Sequence, residues 1–277
     1  MTPDVAIREA GPDDLPAVSD LLHTCHYRDE LHRLPALRFI QEAPTGGVFL
    51  AEDGGEVIGV SAALGFGATA WLSALGIDVR WRRQGIATRL MDARIRWLRR
   101  RGARTIHLLA TEGGRTVHRQ LGCVEDGSCT ILGLPPLPAQ AGLPPGVRPV
   151  GDADAGAVKA LDAAATGEDR SLVLDACWPH GGLVAEAGGE LAGFHLDCPW
   201  GTGPTVARDA DSGLRLIEAL RRRNDHATWV LLPEANQDAL RALPQGGYSM
   251  SLMRMRHGPR VPWRAEMLFS ATNWYWG

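Results

Sequence analysis

Residues 77–91 read Ile77-Asp78-Val79-Arg80-Trp81-Arg82-Arg83-Gln84-Gly85-Ile86-Ala87-Thr88-Arg89-Leu90-Met91, and the organisation of the chain follows from them. An apolar run, Trp71 to Val79, leads in as a strand. Beyond it, Ile86, Leu90, Ala93 and Trp97 recur at i, i+4, i+7 and i+11, with Met91, Ile95 and Leu98 widening the face, so the spacing predicts a helix over 86–101. Gly102 stops that helix, and 105–111 reads as a further strand. A strand that runs straight into a helix head leaves the first-turn N–H groups without helical partners and aims the positive end of the dipole at them. Arg82, Arg83, Gln84, Gly85, Ile86, Ala87 and Thr88 therefore form a place where a diphosphate can bind. Gly85 lets the backbone approach without a Cβ, and the small Ala87 keeps the helix close.

Working outward, Ala51-Glu52-Asp53-Gly54-Gly55-Glu56-Val57-Ile58-Gly59 returns as Ala185-Glu186-Ala187-Gly188-Gly189-Glu190-Leu191-Ala192-Gly193, with six of nine positions identical at an offset of 134. Ile7-Arg8 and Ala17-Val18 match Val147-Arg148 and Ala157-Val158 at an offset of 140, and Gly122-Cys123 matches Gly247-Tyr248 at 125. Three matches in one order indicate a duplication whose second copy has lost loop residues. The Pro- and Gly-rich stretch 134–146 reads as the connection, giving domains 1–135 and 146–277 with a linker at 136–145. Each copy has the same plan: a strand, a helix (preceded in the first copy by the capping candidates Asp13 and Asp14), then a hairpin turned on a Gly-Gly pair. A strand-helix-strand unit follows, and together these make a mixed α/β sheet.

Composition narrows the classes. With 277 residues, 45% apolar and 22% charged, the chain is neither disordered nor a small disulfide scaffold. A net charge of -3 argues against a nucleic-acid partner. Five scattered cysteines without a C-x-x-C pair give neither a zinc site nor a disulfide framework, so a reducing cytoplasm is the expected compartment. The start lacks the layout of a signal peptide. Val57 to Ile77 carries no charged side chain, but Gly65-Phe66-Gly67 reads as a turn between two strands, so no membrane span is expected.

The segment IDVRWRRQGIATRLM resembles the acetyl-CoA loop of the GNAT N-acetyltransferase superfamily, whose signature is R/Q-x-x-G-x-G/A, and HRQLGC resembles the family's later helix. The resemblance covers 1–135 and implies tandem GNAT-like domains, each a mostly antiparallel sheet flanked by helices. It implies further that Ile77 and Val79 bond the pantetheine amides through their backbones, that Arg82 to Thr88 cradle the pyrophosphate, and that acetyl-CoA is the acyl donor. The family's acid is a Tyr four residues before the Gly of the later helix; here that slot holds His118, expected to protonate the departing thiolate or help hold it. Strand positions that often carry the base hold Trp71 and Ser73, so deprotonation is left to water, Asp78, His107 or a residue elsewhere.

Aligning Gly213 on Gly85 puts Ala210 in place of Arg82 and Arg215 in place of Ala87, with Asp209 and Asp211 flanking, so the second copy resembles a GNAT domain with its donor loop eroded. Asn236 falls where the family often has an Asn, but Leu243 replaces the acid. Tyr27, Asp29 and Glu30 lie in the segment that faces the acceptor in this family, and their carboxylates suit a small cationic amine. His23, Cys25, His26 and His32 in the same region lack the spacing of a zinc set, and no metal is expected. Arg94, Arg96, Arg99, Arg100 and Arg101 read as a solvated basic helix end, and the tail Trp274-Tyr275-Trp276 as a buried last strand of the second domain. The expected activity is acetyl transfer to a small-molecule amine by direct attack on the thioester, in a monomer or homodimer. The alternative is a non-catalytic tandem acyl-CoA-binding module.

Overall fold

A computed structural model describes residues 5–25, 30–138, 142–201, 203–244, 248–273 and 276, the side chains of 30–33 excepted. The chain forms two units: Met1–Glu125 with Met255–Arg260 and Trp276, and Asp126–Arg254 with Val261–Tyr275 and Gly277. The first contains β1 (Ala6–Glu9), α1 (Leu15–Thr24), α2 (Glu30–Glu42), β2 (Gly46–Asp53), β3 (Glu56–Phe66), β4 (Thr69–Ile77), α3 (Ile86–Arg100), β5 (Thr105–Ala110) and α4 (Glu112–Gln120), and β6 (Val124–Leu134) leads out of it. The second adds β7 (Val147–Pro149), α5 (Ala155–Thr166), α6 (Ser171–Cys177), β8 (Gly182–Ala187), β9 (Glu190–Leu196), β10 (Thr205–Ala207), α7 (Ala210–Arg223), β11 (Thr228–Pro233), α8 (Gln237–Ala242), β12 (Ser249–His257) and β13 (Leu268–Ser270).

In unit 1 the strand order is β1-β2-β3-β4-β5, antiparallel until β4, which runs parallel to β5. The uncharged stretch Val57 to Ile77 is the β3–β4 hairpin, and no helix among the described residues is long and apolar enough to cross a membrane. The amphipathic spacing of α3 buries Ile86, Leu90, Met91, Trp97 and Leu98, and the Trp97 ring meets Phe49 of β2 edge-on at 5.4 Å. In unit 2 the orders are β13-β10-β9-β8-β7 and β12-β6-β11.

The duplication is visible in matching ion triads. Arg8 binds Asp14 and Glu52, both at 2.6 Å, and Arg148 binds Asp154 and Glu186 at 2.7 and 2.8 Å. These triads also correct the expected caps. The Asp14 carboxylate accepts from the Gly11 amide and from Arg8, and its side chain makes no cap on α1; a short 3-10 turn, Pro12–Asp14, comes first.

Two further expectations are overturned. Cys177 and Cys198 are joined by a disulfide, which their spacing of 21 residues did not announce, whereas Cys25, Cys123 and Cys129 are free thiols. The fold makes that pair by setting the end of α6 beside the residues that follow β9. Trp276, expected in a last strand of the second domain, belongs to unit 1, where it is fully buried with its ring 5.4 Å from Phe39 of α2; the last strand of unit 2 is β13. Trp274 and Tyr275 lie outside the described residues.

Candidate functional site

β4 and β5 pair only at Thr69–Thr105, Ala70–Ile106 and Trp71–His107, and then part. The cause is a bulge in β4. Its pairing with β3 slips by one residue between Val60–Gly76 and Ala62–Ser73, leaving Ala74 and Leu75 opposite Ser61. Ala74 takes a left-handed φ of 51°, which costs roughly 1–2 kcal/mol for a residue with a Cβ. Among the described residues only Ala74 and Arg83 (φ 65°) do this without being glycine, and both lie at this site. Such strain collects where a ligand must be met.

β4 ends at Ile77, which is buried and whose carbonyl accepts from Arg82 Nε at 3.0 Å and from the Cys25 thiol at 3.4 Å. Val79 stands beyond the strand in a 3-10 turn, 72% exposed. Arg82, Arg83, Gln84, Gly85 and Thr88 are exposed, Ala87 is half-buried, and Ile86 is buried beneath the helix. Gly85 is the cap of α3 with φ 79°, no side chain caps the helix, and a Cβ on Gly85 would meet nothing within 4 Å. The first intrahelical bond is Arg89 N to the Gly85 carbonyl, so the amides at the head of the helix have neither a helical partner nor a side-chain cap, and the exposed Arg82 and Arg83 precede them directly in the chain. That is a fit for a diphosphate.

His118 of α4 is buried, with Nδ1 2.9 Å from Met91 Sδ on α3. Burial, and then the charge of Arg94, push its pKa down to about 4, so at neutral pH it is an uncharged imidazole. Asp78 accepts from the amide and guanidinium of Arg80, which holds its carboxyl below the usual range. His107 is fully buried with its ring 5.3 Å from Trp71 at the last rung before the strands part. Glu30 opens α2; its side chain, with Tyr27 and Asp29, lies outside the described residues.

Unit 2 answers the same positions differently. Eight residues (78–85) join β4 to α3, but only Arg208 and Asp209 join β10 to α7. The structure moves the equivalence: Asp209, not Gly213, stands at the helix cap, and its carboxylate accepts from the Ser212 amide at 2.8 Å, filling the anion position with the chain's own charge. The gap between β10 and β11 is filled as well. β13 pairs with β10, the Ala271 amide donates to the Leu231 carbonyl of β11 at 2.8 Å, and Asn236 Nδ2 donates to the Leu268 carbonyl at 3.0 Å.

The basic helix end expected at 94–101 is only partly so. Arg96 pairs with Asp92, and Arg101 lies 3.7 Å above the Trp97 ring, but Arg94 is 1% exposed. Its Nη1 donates to the carbonyls of Ala62 (2.8 Å) and Ser73 (3.2 Å), the two partners of the rung next to the bulge.

Comparison with known proteins agrees with this geometry. A model described as the acetyltransferase (GNAT) family matches residues 15–122, and one described as an acetyltransferase (GNAT) domain matches 158–270. A putative acetyltransferase from Pyrococcus horikoshii shares the fold at a TM-score of 0.83 and 23% identity, over 99% of this chain and 96% of that one. A GCN5-related N-acetyltransferase from Sphaerobacter thermophilus gives 0.64 at 16%, over 99% and 98% of the two chains. A tandem GNAT protein from the clavulanic acid biosynthesis pathway gives 0.59 at 16%, over 93% and 100%. A search of curated protein sequences found no match. The chain belongs to the GNAT acetyltransferase superfamily, as a tandem of two GNAT domains whose family chemistry is acyl transfer.

Proposed function

We propose that unit 1 is an acetyl-CoA-dependent N-acetyltransferase acting on a small-molecule amine, and that unit 2 holds no donor. The observation that carries this reading is the contrast between the two helix heads: open, uncapped and flanked by Arg82 and Arg83 on α3, closed by Asp209 on α7. Arg82, Arg83 and the α3 amides would hold the diphosphate, and the Ile77 backbone would bond the pantetheine once its carbonyl releases Arg82 Nε. Bound there, acetyl-CoA supplies the thioester that the amine attacks.

Three further residues bear on the chemical step. A neutral His118 can donate an N–H to a thiolate and hold it, which fits its pKa better than outright proton donation. Asp78 is committed to Arg80 and His107 is fully buried against Trp71, which leaves the proton of the acceptor's ammonium to water or to a residue elsewhere. A cationic acceptor fits the acidic Asp29 and Glu30.

Gly85→Glu puts bulk and a negative charge into the cradle. Calorimetry should show acetyl-CoA binding lost, and unchanged binding would overturn the assignment. Turnover with a panel of amines then separates the enzyme from a binding module, since binding without turnover supports the latter.

A further inference from the structure

We propose that Arg94 is a positioning residue: by holding both strands of the Ala62–Ser73 rung, where the β4 bulge begins, from the third turn of α3, it locks the splayed strand end to the helix head so that the two act as one donor site. The proposal rests on the acetyl-CoA reading above.

The bulge needs such a clamp. An antiparallel ladder matches each carbonyl with a facing amide, and an extra residue breaks that match. Here the Ser73 carbonyl, immediately before the left-handed Ala74, accepts from Arg94 Nη1 at 3.2 Å and from Ser61 Oγ at 3.1 Å. The Ala62 carbonyl across the rung accepts from the same Nη1 at 2.8 Å. The guanidinium thus bridges two strands at the point where one of them turns away from β5, while its own backbone is part of the helix whose first turn forms the cradle.

Burying a cation is costly, and nothing in an amphipathic helix requires one on its apolar stripe. Its position is specific. At about 100° per residue, position 94 falls at the centre of the arc occupied by Ile86, Leu90, Met91, Trp97 and Leu98. A leucine there would pack; an arginine there reaches carbonyls that packing cannot satisfy. The charge of Arg94 also adds to burial in depressing the His118 titration, so the side chain that bonds the strands and the helix acts on the imidazole through its field.

Arg94→Lys separates shape from charge, because an ammonium keeps the positive charge but lacks the planar guanidinium whose Nη1 meets both strand carbonyls while its Nε donates to the Leu90 carbonyl of α3. Acetyl-CoA binding, measured by calorimetry on the full chain, should weaken about tenfold or more, with donor KM rising and acceptor KM unmoved. His118, followed by NMR titration, should stay low in Arg94→Lys and rise in Arg94→Met, where the charge is gone. A folded Arg94→Lys that binds acetyl-CoA within about twofold of the parent overturns the proposal. If Arg94→Lys does not fold, Ser61→Ala removes the other donor to the Ser73 carbonyl and should weaken binding by a smaller factor; unaltered binding in that variant overturns the clamp. If the parent itself does not bind acetyl-CoA, the functional reading fails, and amide exchange at Leu75 to Ile77 decides the clamp alone: faster exchange in Arg94→Lys or Ser61→Ala supports it, and unchanged exchange overturns it.

Discussion

The ring of Phe269 stands where a Cβ on Gly213 would have to be, its nearest carbon 2.3 Å from that point. Gly213 thus serves the packing of α7 onto β13 and not the approach of a phosphate. Gly213→Ala should destabilise the chain by about 1–3 kcal/mol through overpacking. Denaturant unfolding measures this, and an unshifted midpoint would show the ring free to move aside.

His118 sets a pH dependence whose sign is fixed. Its pKa in the fold is about 4 against an ordinary 6.5, so between those values the unfolded chain binds the extra proton. The stability this group contributes is fully present above pH 6.5 and is lost as pH falls toward 4, by roughly 3 kcal/mol in total. His118→Gln should flatten the stability profile across that window relative to the parent, and should lower turnover with little change in acetyl-CoA affinity. Parallel profiles would place the imidazole in water.

Asp162 and Arg170 form an ion pair at 2.6 Å with side chains 1% and 2% exposed. Asp162→Ala removes the carboxylate that accepts from Arg170 Nε and Nη2, leaves the buried guanidinium only partly compensated by the charge of Glu168, and should cost about 3–5 kcal/mol. Pairing it with Arg170→Met should recover part of that loss in thermal unfolding, since the penalty belongs to the under-compensated charge; equal losses in both variants would argue against it.

The disulfide gives a count. Thiol titration of the denatured, unreduced chain should find three reactive groups, Cys25, Cys123 and Cys129, and five after reduction. Closing a 21-residue separation is worth about 3 kcal/mol against the unfolded chain, so Cys177→Ser should lower stability by that order only without reductant. Five reactive thiols before reduction would rule the bond out.

Local order was legible in the sequence. The Gly-Gly hairpins, the limits of α3 to within one residue and the strand-to-helix loop all follow from turn residues and helical spacing, which depend on near neighbours. Arg94 was misread for a different reason. Its place on the apolar stripe was available from the same spacing, but four nearby arginines favoured a solvated reading, and residue type outweighed position. What no local pattern could carry are relations set by tertiary approach: the Cys177–Cys198 pair, the insertion of 268–271 between β10 and β11, and the burial of Trp276 on Phe39. The site divides the same way, since Gly85 announces the uncapped head of α3, whereas the bulge at Ala74 has neither a glycine nor an asparagine to mark it.

That Met255–Arg260 and Trp276 belong to the first unit has a consequence for biosynthesis. Arg99 is bonded to His257 at a separation of 158 residues, and Thr105 Oγ1 donates to the Pro259 carbonyl across 154. A nascent chain emerging in order therefore cannot complete its first unit until residues 255–260 and 276 have been synthesised. Contacts of such sequence range make for slow acquisition of structure. Truncation before residue 255 should accordingly damage the unit that was synthesised first.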